Sequence, residues 1–165
     1  MLLLAALLGC APATTPPPDP PEIELAVLML RFQTHASKLW FSGAANNWPL
    51  AGFYVKELGE TYNEIREGKV EHDGHDISAI IQEVLEPDLK RVRAAVVSGD
   101  RAGFEVAYDA MLGQCNACHA RTGHPYIQLQ RPAAPDYTNQ RFDPAPGAPS
   151  TPSLPHDENS PFDND

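Results

Sequence analysis

Basic residues are scarce: 12 Lys and Arg stand against 22 Asp and Glu in 165 residues, for a formal charge of −10. A chain so anionic lacks the cationic stripe that a phosphate backbone requires, which excludes nucleic acid as a partner. Long apolar runs are missing too. The opening "MLLLAALLGC" falls well short of the roughly 20 apolar residues that a bilayer span needs, and no other segment comes nearer. There is no internal repeat and no alternating apolar/polar pattern bounded by hairpin turns, which leaves an all-α core.

Proline, by contrast, is plentiful and unevenly placed. Twelve of the 17 prolines lie in two flanks, residues 11–21 and 144–165, which confines the foldable part to residues 22–142. Ahead of the first flank, Leu7-Leu8-Gly9-Cys10 resembles the lipobox of bacterial lipoproteins, in which the cysteine is acylated and becomes the first residue. That resemblance implies residues 1–10 as signal, Cys10 as lipid anchor, and a protein held to a membrane in the periplasm or at the cell surface. An ordinary secretory signal is the alternative, and it also means export. "APATTPPPDPP", residues 11–21, then reads as a stiff polyproline linker. The tail, residues 143–165, carries five acidic residues, no Lys or Arg and too little apolar content to fold.

Helical spacing runs through the middle. From Glu22 to about Ala45, Leu25, Leu28, Met29, Phe32, Ala36 and Leu39 fall on one stripe. "AANNWP" marks a corner, with Asn46 or Asn47 as N-cap and Pro49 tolerated in the first turn of a second helix that turns Ala51, Val55, Leu58, Tyr62 and Ile65 inward. "EGKVEHDGHD" reads as a polar loop ending at Asp76, the cap of a third helix; Pro87 inside that helix predicts a kink or a break. Gly99 closes it and Asp100 caps the fourth, Arg101 to about Thr122, which aligns Phe104, Tyr108, Met111, Cys115 and Cys118. Four helices with short loops are most simply packed as an antiparallel four-helix bundle.

Near the end of that fourth helix stands Cys115-Asn116-Ala117-Cys118-His119. Positions i, i+3 and i+4 share a helix face, so two thiols and an imidazole can meet one edge and one face of a single porphyrin. C-x-x-C-H is the attachment signature of c-type haem, with His119 as the axial ligand to iron. A redox dithiol would belong in a βαβ context, a zinc site would need a fourth ligand when only His124 is near, and a disulfide across three residues of a helix would be strained. Cys10 belongs to the signal, so no thiol is left over.

No methionine follows His119. A second axial ligand must therefore come from an upstream helix. A C-terminal C-x-x-C-H closing the last helix of a bundle resembles class II cytochromes c, the cytochrome c prime group; "HASKLWFSGAANNWPLAGFY" and "YTNQRF" are similar to stretches of its less characterised bacterial members. The resemblance covers about residues 22–130. It implies a first helix that offers either a methionine, in a six-coordinate electron carrier, or an apolar residue, in five-coordinate iron open to small gases, with a basic residue one turn before the distal position. Arg31 followed by His35 fits that frame, so His35 is the first distal candidate, Met29 the second, and an open apolar face the third.

Other residues carry less. His72, His75, Asp73 and Asp76 have the composition of a metal cluster, but a solvated loop and a helix cap explain them. Arg121 could meet a haem propionate or face solvent; Trp40, Trp48, Phe53 and Tyr54 read as core and corner packing; His124 follows the helix end. The expectation is an exported monohaem cytochrome that carries single electrons and is not an enzyme. Its redox partner would be basic, and the bundle would allow a homodimer. Binding of NO or CO at five-coordinate iron is the alternative.

Overall fold

Residues 24–152 are described in the computed structural model. The lipobox with Cys10, the linker 11–21 and the tail from residue 153 lie outside them. Five helices follow in order: α1 Leu25–Ala44, α2 Trp48–Glu67, α3 Ile77–Val84, α4 Glu86–Ser98 and α5 Arg101–Arg121. Among the described residues the fold is all α apart from one small hairpin, and residues 143–152 form neither helix nor strand.

Short polar side chains set the helix starts. Asn47 accepts from the Leu50 amide at 3.3 Å, Asp76 from Ala79 at 2.9 Å and Asp100 from Gly103 at 3.0 Å, each satisfying an amide that the first turn leaves without a carbonyl. Pro49 and Pro87 both occupy first turns, where a missing N–H costs nothing. The expected interruption at Pro87 is therefore a full break: Leu85 ends α3 and precedes α4. Gly99, at φ 67°, ends α4 in the left-handed conformation that a side chain would strain.

The loop before α3 holds more structure than its polarity suggests. Glu71–His72 (β1) pairs antiparallel with His75–Asp76 (β2), and Asp73 and Gly74 turn between them at φ 48° and 76°. Two consecutive positive φ values make the tight turn that Asp-Gly favours. Strands of two residues are too short for any alternation to register in sequence.

α1 packs along α2, α4 along α5, and α2 also meets α3 and α4. Arg31 on α1 pairs with Glu64 on α2, and the Tyr108 hydroxyl of α5 donates to the Ala36 carbonyl of α1 at 3.0 Å. Both α1–α2 and α1–α5 therefore run antiparallel. Leu28, Phe32, Ala36 and Leu39 of the expected α1 stripe are buried, with Leu25 and Met29 at its margin. All five apolar positions expected on α2 are buried. Phe53 departs from expectation and is 51% exposed, while Trp48 and Tyr54 are buried.

Beyond α5 the chain returns over the helices as an irregular strap. Arg131 stacks on Trp40 at 4.5 Å and bonds Asp109 at 2.5 Å, Gln140 donates to the Tyr54 hydroxyl at 2.6 Å, and Phe142 is buried against Phe41. The Asn47 amide donates to the Phe142 carbonyl at 2.9 Å.

At the α1–α5 crossing a Cβ on Gly43 would lie 2.3 Å from the Phe104 ring. That ring is fully buried among Trp40, Trp48 and Tyr108 and has nowhere to go. Gly43→Ala is expected to destabilise the fold by about 1–3 kcal/mol, an overpacking cost, read as a lower midpoint in urea at unchanged slope.

Candidate functional site

The last two turns of α5 form one wall of a cavity of about 510 Å³, within the range of small-molecule and cofactor sites. Leu25, Met29 and Phe32 from α1 face it, with Ile77 and Ile81 from α3 and Met111 from α5. Cys115, Cys118 and His119 all stand on this wall. Their spacing puts them on one face, and the packing of α1 and α3 leaves that face open to a void rather than to a neighbouring helix.

Each of the three is in a defined chemical state. Burial pushes the Cys115 thiol up to about 12, with the Cys118 thiol beside it adding in the same direction. Cys118 is raised too, again through burial, with Arg121 working against it. Both are free, protonated thiols. A dithiol redox centre works through a thiolate of lowered pKa, so the environment opposes that reading.

His119 is held through its Nδ1 nitrogen. Its Nδ1 lies 3.1 Å from the Ile127 carbonyl, and since a carbonyl only accepts, Nδ1 carries the proton. In the neutral ring Nε2 then keeps the lone pair. This is the tautomer and anchoring that metal-ligating histidines use, a backbone oxygen fixing the ring from behind.

The acceptor is itself positioned. Gly123, at φ 85°, turns the chain out of α5, the His124 amide closes that turn on the His119 carbonyl at 2.7 Å, and the chain then runs back beside the helix. Asn116, inside the C-x-x-C-H run, clamps it there: its side chain donates to the Leu129 carbonyl at 2.9 Å and accepts from the Leu129 amide at 2.7 Å. Sequence spacing cannot find these contacts; Gly123 and Pro125 signal only that the helix stops.

The two α1 candidates separate. Met29 lines the cavity, whereas His35 does not. Successive residues turn about 100° around a helix, so His35 sits some 100° behind Ala36, on the flank it shares with Arg31. That flank meets α2, where the His35 ring lies 6.2 Å from that of Tyr54 and Arg31 pairs with Glu64. Burial lowers the His35 pKa, with Glu57 opposing, and its Nδ1 is buried without a partner. His35, the first distal candidate from the sequence, thus stands on the α2 flank of α1 and off the cavity wall.

Arg121 bonds Glu83 at 3.0 Å on the exposed surface. His72 and His124, far apart in sequence, both reach the cavity wall. His75 and Asp76 stay with the hairpin and the α3 cap.

Two outcomes follow from this geometry. In the chain with free thiols, alkylation of Cys115 by iodoacetamide at pH 8 is expected to be about a hundredfold or more slower than that of an unhindered cysteine, since so little thiolate is present. Asn116→Ala should cost about 1–3 kcal/mol through the two Leu129 groups it leaves unpaired, and Asn116→Asp, which can still accept but not donate, should fall between. Denaturant unfolding measures both.

No family model, no curated protein sequence and no solved structure gives a significant match to this chain, so what the cavity holds is argued from its own donors.

Proposed function

We propose that the protein is an exported monohaem c-type cytochrome that carries single electrons. The observation that supports this best is the combination on one cavity wall: two thiols and an imidazole whose Nδ1 is tied to Ile127, leaving Nε2 free for iron. The donor set fits the group. Cys115 and Cys118 would hold one edge of haem c through thioethers, and His119 would bind its iron from the α5 side. Bound there, haem would supply a one-electron couple at iron. The chain's own contribution is the rest: apolar side chains of α1 and α3 keep water away, and the Ile127 carbonyl raises the electron-donating power of His119.

On this reading the helices form an antiparallel four-helix bundle in which α3 and α4 are two halves of one broken arm, as the resemblance to class II cytochromes c implies. Met29 would be the distal ligand, a reading supported by its place on the cavity wall while His35 faces α2. A second reading, gas binding at five-coordinate iron, draws on the apolar residues of α1 and α3 that face the void, Leu25, Phe32, Ile77 and Ile81.

Export, with attachment to a membrane through Cys10, remains part of the proposal. Among the described residues no helix is long and apolar enough to cross a membrane, so attachment would rest on that residue. The anionic chain suits a basic redox partner, and electron transfer that slows steeply with added salt would support it.

The absorption spectrum of the matured protein tests the reading. Cys115→Ser with Cys118→Ser, or His119→Ala, should abolish stable haem incorporation. With Met29 as ligand, the oxidised protein should show a far-red sulfur-to-iron band that Met29→Ala removes, opening the reduced iron to CO. His35→Ala should leave the spectrum unchanged. Prompt CO binding by the parent protein would select the five-coordinate reading, and a matured protein without covalent haem would sink both.

A further inference from the structure

His72, Asp73 and His124 come from two distant parts of the chain and meet beside the cavity, which His72 and His124 line. His72 ends β1, Asp73 occupies the hairpin turn, and His124 stands just beyond α5. The Asp73 Oδ2 atom lies 3.7 Å from His72 Nε2 and 3.9 Å from His124 Nε2, and the three donor atoms lie within 4.8 Å of one another. The two rings face each other at 6.1 Å between centroids, 32° apart in plane.

Neither carboxylate-imidazole pair is a hydrogen bond at these distances. Three polar groups thus converge without satisfying one another, and among the described residues it is the two imidazoles that come within 4 Å of the Asp73 carboxylate. The local turns place them: Asp73 at φ 48° sits in the Asp-Gly turn of the hairpin, and Gly123 at φ 85° turns the chain out of α5 just before His124.

We propose that these residues form a binding site for a divalent first-row transition ion, with Zn²⁺ as the reference case and water completing the coordination. Bonds of about 2.0–2.2 Å in a tetrahedral site set donors roughly 3.3–3.6 Å apart, close to the spacings at Asp73 and within reach of side-chain rotation for the rest. Two imidazoles and one carboxylate suit zinc, copper or nickel, whereas calcium and magnesium require more oxygen donors. The ion would clip the hairpin to the start of the strap, beside the cavity. The site shares no residue with Cys115, Cys118 and His119, so its failure leaves the haem reading intact, and the reverse also holds.

The test is titration of the full chain with Zn²⁺ by calorimetry and with Co²⁺ by visible absorption. One equivalent is expected to bind. His72→Ala, Asp73→Ala and His124→Ala should each weaken binding by about tenfold or more, while His75→Ala and His35→Ala leave it unchanged. Zinc should also raise the thermal midpoint of the parent and not of the three variants, whose unfolding without metal shows that they remain folded. Affinity indifferent to all three substitutions would overturn the site. So would a thiolate-to-cobalt charge-transfer band, which would place the ion on Cys115 and Cys118, and so would the absence of binding at micromolar metal.

Discussion

The contact between Gly43 and the Phe104 ring sets the geometry on which the cavity depends. A glycine there lets α1 approach α5 to a distance that no side chain would permit, and the aromatic group of Trp40, Trp48, Phe104 and Tyr108 fills the corner around it. Farther along, the Tyr108 hydroxyl still reaches Ala36. Beyond that point the α1 and α5 stripes no longer interlock, and the void between them begins. One continuous face of α5, from Phe104 through Met111 to Cys118, thus passes from packed core to cavity wall without any change in helical phase.

The strap does for the site what a further packed helix could not. A helix would satisfy its own carbonyls, whereas an irregular segment has carbonyls to offer, and those of Ile127 and Leu129 are taken by His119 and Asn116. The polar residue between the two cysteines is therefore part of the anchoring of the imidazole, through a clamp two residues away from its acceptor. Farther on, the planar guanidinium of Arg131 lies on Trp40 while its nitrogens engage Asp109 and Glu105, which fixes the strap to both α1 and α5.

Local rules made much of this legible. Asn47, Asp76 and Asp100 cap helices because short side chains meet the needs of a first turn, and Pro87 breaks a helix because it cannot continue one. The common face of Cys115, Cys118 and His119 likewise follows from spacing alone. What was hidden depends on phase or on distance along the chain. His35 and Met29 differ in helical phase by about a third of a turn, and only the position of α2 decides which of them faces the void. The hairpin is too short to alternate, the strap has no period to detect, and the approach of His124 to His72 and Asp73 exists only in three dimensions.

The anchors of the strap also have a bearing on time. Gln140 on Tyr54 and Phe142 on Asn47 join positions 86 and 95 residues apart, and loops of that length close late, after helices and nearest-neighbour packing have formed. The side of the cavity built from residues 124–129 does not wait on them, because it is tied to α5 by contacts only 8 and 13 residues apart. Contact order thus divides the strap into a near part that forms with α5 and a far part, at Gln140 and Phe142, that closes last.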